Sequence, residues 1–210
     1  MRIWKVLAAV GGLAGLAGGV ALAAWIVLTV STVGPSTFNT GTAIGASDLR
    51  CADETCTSGK TANIWPAMLN ATPGTRAEGV QCLCNDGATS LVYAIRSANT
   101  NPTLAAGLVA RVTSTGAVNG TGAVCQFPTL NLDGTRAAVS QAEVYFGPLS
   151  GLQAGDPAVG VQAGDRTLTA KFTASTCEKL CFSVVLPGSA GAELASLANN
   201  TDILVHHHGQ

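Results

Sequence analysis

The chain is short of charge, of aromatic residues and above all of histidine. Charged residues make up 11% of its 210 positions and aromatics 5%, and the three histidines form one run, His206-His207-His208. Each scarcity removes a class of chemistry. A nucleic-acid surface needs a clustered basic face, whereas here eleven basic residues are scattered among twelve acidic ones for a net charge of −1. The same scatter leaves no patch for an anionic membrane. A zinc peptidase needs two histidines one helical turn apart with a glutamate between them, and a serine triad needs a buried, oriented histidine base. Histidine confined to a terminal tripeptide supplies neither. The Gly-rich stretch 116–122 lacks the Lys and the strand–loop–helix setting of a phosphate loop. Nor does the spacing of Asp48, Glu54, Asp133 and Glu143 single out two carboxylates for acid–base work. The expectation is a protein with no catalytic residue, cofactor, resident metal or nucleic-acid partner. On a strand His206 and His208 would share a face and offer two neutral imidazoles to a metal, but a strand end is the simpler reading of that tripeptide.

Cysteine, by contrast, is plentiful. Seven are present: Cys51, Cys56, Cys82, Cys84, Cys125, Cys177 and Cys181. Their spacings give no C-x2-C knuckle of a structural zinc site. Disulfides in an exported protein account for them better, and all seven are candidates. Cys51 with Cys56 and Cys177 with Cys181 would close local loops. Cys82 and Cys84 share a strand face and are expected to pair elsewhere rather than with each other, given disulfide geometry. Connectivity stays open, and an odd count leaves one thiol over.

The N-terminus reads as an export leader. Arg2 and Lys5 precede an apolar run over 6–24, and Ala21-Leu22-Ala23 is a cleavage-type sequence. The expected organisation is a signal peptide over 1–23 and a single domain over 24–210. Apolar character continues through Val30, so an uncleaved membrane anchor is the alternative.

Beyond the leader, period-two alternation dominates. Residues 24–33 are largely β-branched, aromatic or apolar, which suits a strand. Segments 80–84 and 89–96 flank Asn85-Asp86-Gly87, a hairpin cue, with Leu91, Tyr93 and Ile95 on one face of the second strand. Alternation recurs at 108–113, at Leu168, Ala170 and Phe172, at Phe182, Val184 and Leu186, and over 201–208. Residues 149–164 read as connecting loop, and 190–197 is the best helix candidate, at two turns. Many short strands separated by turns describe an all-β domain, a jelly-roll-like two-sheet sandwich with one or two short helices.

Four pieces of the chain, in order, resemble the TasA/camelysin family of exported proteins, which build biofilm matrix fibres. They are the leader with an aromatic just past its cleavage site (Trp25), and Phe38-Asn39-Thr40-Gly41-Thr42. Next comes Pro73-Gly74 with the following strand, Asn85-Asp86-Gly87 and Tyr93. Last is Ala163-Gly164-Asp165 with the strands that follow it to the C-terminus. Thr75 stands where that family usually has an acidic residue. The resemblance implies a jelly roll whose first mature strand leaves its own subunit to complete the sheet of the next. The partner is then a further copy of the chain in a head-to-tail homopolymer, with other matrix or cell-surface components beside it, outside the cell. Residues 24–33 are the candidate donor, centred on Trp25, Ile26, Val27, Leu28 and Val30. Ile26, Leu28, Val30 and Thr32 form the more uniformly apolar face and are expected to enter the groove. Part of the family carries a metallopeptidase label, which the missing histidine motif leaves unsupported here.

Overall fold

The structure, a computed structural model, describes residues 24–32, 49–52, 55–56, 68–119, 123–155, 166–171, 173–194 and 197–209. The leader, Phe38-Asn39-Thr40-Gly41-Thr42, Ala163-Gly164-Asp165 and Phe172 lie outside them. The described residues form a two-sheet, jelly-roll-like sandwich. One sheet contains β1 (Ala24–Thr32), β3 (Met68–Ala71), β5 (Leu91–Asn99), β8 (Gln153–Ala154), β9 (Arg166–Leu168) and β11 (Ala198–Gly209). Its order is β3-β1-β11-β5-β8, with β9 also paired to β5. The other contains β2 (Leu49–Ala52), β4 (Arg76–Asn85), β6 (Val109–Asn119), β7 (Ala142–Pro148) and β10 (Thr176–Val185), in the order β2-β4-β10-β6-β7. The described strand pairings are antiparallel except β1 with β11, which is parallel.

The alternating residues meet between the sheets. Leu91, Tyr93 and Ile95 of β5 and Ile203 and Val205 of β11 pack with Ala110 and Val112 of β6 and Leu180, Phe182 and Val184 of β10 in one cluster. Burying a side chain of this size is worth about 1.5–3 kcal/mol, so this layer is the main favourable term in folding.

Strand β10 departs from the half-buried pattern, because all ten of its residues are buried. The segment over 123–141 covers part of its outer face. Arg111, on that face of β6, donates to the carbonyls of Thr129 and Ala137 at 2.7 Å each and pairs with Glu143 at 2.9 Å. The disulfide Cys125–Cys181 fastens the same segment to β10.

Four expectations are corrected. Asn85-Asp86-Gly87 is not a hairpin turn, since β4 pairs with β10 and β2 while β5 pairs with β11, β8 and β9. Asn85 makes a corner between the sheets instead. Its Oδ1 accepts from the Gly87 N–H at 2.9 Å, and its Nδ2 donates to the carbonyls of Thr89, Leu168 and Thr169. The Asx geometry was readable in the sequence, but the sheet each flanking strand joins is decided by tertiary packing.

The second correction concerns helices. Among its described residues the 190–197 candidate forms a 3-10 turn, Ala192–Leu194, and the α-helix found among the described residues lies elsewhere, at α1 (Pro102–Gly107). Its start carries the usual signals: Asn101 Oδ1 accepts from Leu104 N–H, and Pro102 occupies the first turn. Third, residues 149–155 are more than a connector, forming a 3-10 turn (Leu149–Gly151) and then β8. Fourth, the cysteines ignore local loops. The bonds are Cys56–Cys82, Cys84–Cys177 and Cys125–Cys181, with sequence separations of 26, 93 and 56. Cys82 and Cys84 each pair away from the other, and Cys51 stands on β2 at the register position opposite Leu83.

Cys125–Cys181 holds a covering segment rather than the core, so its loss should destabilise without changing the fold. Replacing both cysteines with alanine is expected to lower the unfolding free energy by roughly 2–5 kcal/mol, read from chemical denaturation of the oxidised protein, with the far-ultraviolet circular dichroism of the native state unchanged.

Candidate functional site

The candidate donor strand occupies an interior slot. In β1, Trp25 through Thr32 pair in parallel with Ala198 through Val205 of β11, and on the other side Ala24 and Ile26 register with Ala71 and Met68 of β3. Asn199, Thr201, Ile203, Val205 and His207 are buried members of β11, and the first four register with Ile26, Leu28, Val30 and Thr32 of β1. Trp25, Val27, Thr29 and Ser31 register instead with the alternate members, Ala198, Asn200, Asp202 and Leu204. Strand β1 thus satisfies the backbone groups of two neighbours, β11 and β3. Without it both present unpaired N–H and C=O groups, the template that an incoming strand recognises.

A second constellation, missed in the sequence, lies between the sheets. Glu178 of β10 is 1% exposed. Its carboxylate accepts from Tyr93 Oη of the opposite sheet at 2.6 Å, from Ser114 of β6, and from Arg166 of β9 through Nε at 2.9 Å and through Nη2. Arg166 Nη2 also donates to Ser114 Oγ at 3.1 Å. A buried carboxylate is tolerated when it is paired and its lone pairs are filled. Four donor groups from three residues converge on this one, and all three residues stand on other strands. Its acceptor capacity is spent within the protein, so the group clamps the sheets together rather than acting as an acid or base. Burial, followed by the negative charge of Glu178, pushes the Tyr93 phenol well above its ordinary value. No spacing rule could have linked positions 93, 114, 166 and 178. The one local sign was Glu178-Lys179 inside an otherwise strand-like run.

The histidines divide between faces. His207 is 2% exposed and registers with Tyr93, whereas His206 is half-buried and registers with Ala94. Nε2 of His206 is buried with no hydrogen-bond partner among the described residues. Burial, followed by the positive charge of Arg96, holds the His206 imidazole below its ordinary value. Among the described residues no helix is long and apolar enough to cross a membrane.

No family model matches the chain, and the curated proteins include no significant match. The likeness to the TasA/camelysin family therefore stands on the motifs quoted above.

Two outcomes follow from this geometry. Arg166→Met removes the cation that offsets Glu178 and should cost about 3–5 kcal/mol. The double variant Arg166→Met/Glu178→Leu should recover part of that loss, a coupling read by a double-mutant cycle in urea. The second outcome concerns His206. A histidine whose folded value is depressed contributes stability above its unfolded value, about 6.5, and loses it as pH falls through the folded value. Wild-type stability should therefore decline below about pH 6.5 more steeply than that of His206→Gln, as measured by denaturant midpoints across pH.

Proposed function

We propose that the chain is an exported structural subunit of an extracellular fibre or surface matrix. It self-associates head to tail, each copy placing its leading strand, residues 24–33, in the sheet of a neighbour. The observation that carries this reading is the position of β1. The strand nearest the expected leader cleavage fills a slot between β3 and β11, in register with the buried side of β11. Cleavage after Ala23 would free its N-terminal end. A strand from another copy would satisfy the same ladder positions and fill the same groove, so the cis and trans arrangements differ little in contact energy. The balance between them is set by the connection after β1 and by concentration. A head-to-tail contact that does not close on itself gives a filament. Three disulfides are in keeping with an oxidising, extracellular setting.

A second reading is favoured by the pairing of β1 with its own chain. Under it the protein is a closed, monomeric exported sandwich that binds a surface ligand through its loops.

The two separate on assembly. The processed chain, starting at Ala24, should form filaments in negative stain as its concentration rises. A variant starting at 34 should form none, yet should bind a synthetic 24–33 peptide with a stoichiometry of one, read by calorimetry. A processed chain that sediments as a monomer at every concentration overturns the fibre reading and leaves the second.

A further inference from the structure

Four of the cysteines meet at one point. Cys82 and Cys84, two residues apart on β4, share the outer face of the second sheet. Cys177 of β10 is the register partner of Cys84, with a Cα–Cα distance of 4.1 Å. Cys56 reaches the same place from outside the sheet, its Cα 5.3 Å from that of Cys82. Together they form a buried cluster separate from the main core, each 4% exposed or less. Their four sulfurs lie within 4.8 Å of one another. Cys82 Sγ and Cys84 Sγ, which belong to different disulfides, are 3.7 Å apart.

We infer that these four residues make one site with two chemical states: a pair of disulfides when oxidised, and a tetrathiolate site for a single zinc ion when reduced. The inference is independent of the fibre reading. A tetrahedral zinc site with metal–sulfur bonds of about 2.3 Å has sulfurs about 3.8 Å apart along every edge. The unbonded pair Cys82/Cys84 already has that spacing. The two bonded pairs reach it by moving apart by under about 2 Å, within the range of side-chain rotation.

The surroundings suit the charge. A zinc tetrathiolate carries a net charge of −2, which needs cations nearby in a dry setting. Lys179, 8% exposed, is the register partner of Cys82 and supplies one cation. The backbone of Cys56 is at φ 60°, a left-handed conformation that a non-glycine residue keeps only when its surroundings fix it. Its bond to the cluster supplies that constraint in either state.

The interconversion balances. Each disulfide takes two electrons and two protons from one dithiol reductant, which leaves as a cyclic disulfide. The four resulting thiols release four protons to water as zinc binds. In the reverse direction two equivalents of a cyclic disulfide oxidant each take two electrons and two protons and leave as dithiols, the four sulfurs pair and Zn2+ departs. A chain that folds before meeting an oxidant would then hold the Cys56 segment, β4 and β10 together with metal, and would exchange metal for covalent bonds where disulfides form.

The test uses the whole mature chain, reduced under mild denaturant with a phosphine, each equivalent of which becomes its oxide as water supplies the oxygen and both protons. The chain is then refolded without oxygen in the presence of Co2+. One cobalt per chain is expected, with the sulfur-to-metal charge-transfer and ligand-field bands of a tetrahedral tetrathiolate. One equivalent of Zn2+ should displace it, and X-ray absorption of the zinc form should show four sulfurs at about 2.3 Å. Cys51→Ser and Cys125→Ser/Cys181→Ser should keep these bands. Cys82→Ser/Cys84→Ser should lose them, and Cys177→Ser should shift them to a three-sulfur pattern. Any of three results overturns the inference: a reduced wild-type chain that takes up less than one cobalt, bands of mixed nitrogen and oxygen ligation, or uptake unchanged in Cys82→Ser/Cys84→Ser.

Discussion

The burial of β10 on both faces is the constraint from which most of this structure follows. Its inner face carries Leu180, Phe182 and Val184 into the sandwich core, and its outer face carries Cys177, Lys179, Cys181 and Ser183. A strand at the surface of a two-layer sandwich ordinarily shows one face to water. Here the covering must come from irregular chain, which makes few ladder hydrogen bonds and has a large entropy to lose. Covalent attachment offsets that cost. Cys125–Cys181 pins one covering segment, Cys56–Cys82 pins another against the neighbouring β4, and Arg111 adds hydrogen bonds to two carbonyls. Two of the three described disulfides thus attach covering chain to this sheet, and Cys84–Cys177 ties two of its strands together.

The inner face sets a different problem. Glu178 breaks an apolar series at the point where β5, β6, β9 and β10 approach one another. A polar group here is costly unless its partners are all in place, so it specifies sheet alignment more than it adds stability. Slipping β5 by one residue would turn Tyr93 to the opposite face and leave the carboxylate short of a donor. The clamp thereby favours one register in a sandwich rich in Ala, Gly and Val, whose small side chains discriminate poorly between alignments.

The sequence was most legible where a face repeats. The inward sets of β5 and β10, Leu91, Tyr93 and Ile95 with Phe182 and Val184, are visible from alternation alone. Legibility failed where a local signal has two tertiary outcomes. Asn85-Asp86-Gly87 turns the chain equally well within a sheet or between sheets, and only the carbonyls of Leu168 and Thr169 decide it. Cysteine pairing failed for the same reason, because Cys84 meets Cys177 across a separation of 93 residues. Asn101-Pro102 was a readable helix start, overlooked because α1 spans only six residues and strand-like segments surround it.

The distribution of covalent bonds bears on which strand is able to exchange. Every disulfide among the described residues has an end on β4 or β10, in the second sheet, and none reaches β1, β3, β5 or β11. The second sheet is therefore held as a unit, while the first relies on backbone ladders and on side-chain packing. Within the first sheet, β5 is tied to β10 through Tyr93 and Glu178, and β11 shares with β5 a ladder running from Thr201 to Gly209. Strand β1 is linked to β11 and β3 by ladder pairing. An interior strand held by backbone ladder groups is one that an identical strand from another copy would match position for position. Strand exchange at β1 would break none of the described disulfides, whereas exchange at β4 or β10 would break two, and at β10 would also remove Glu178 from its partners.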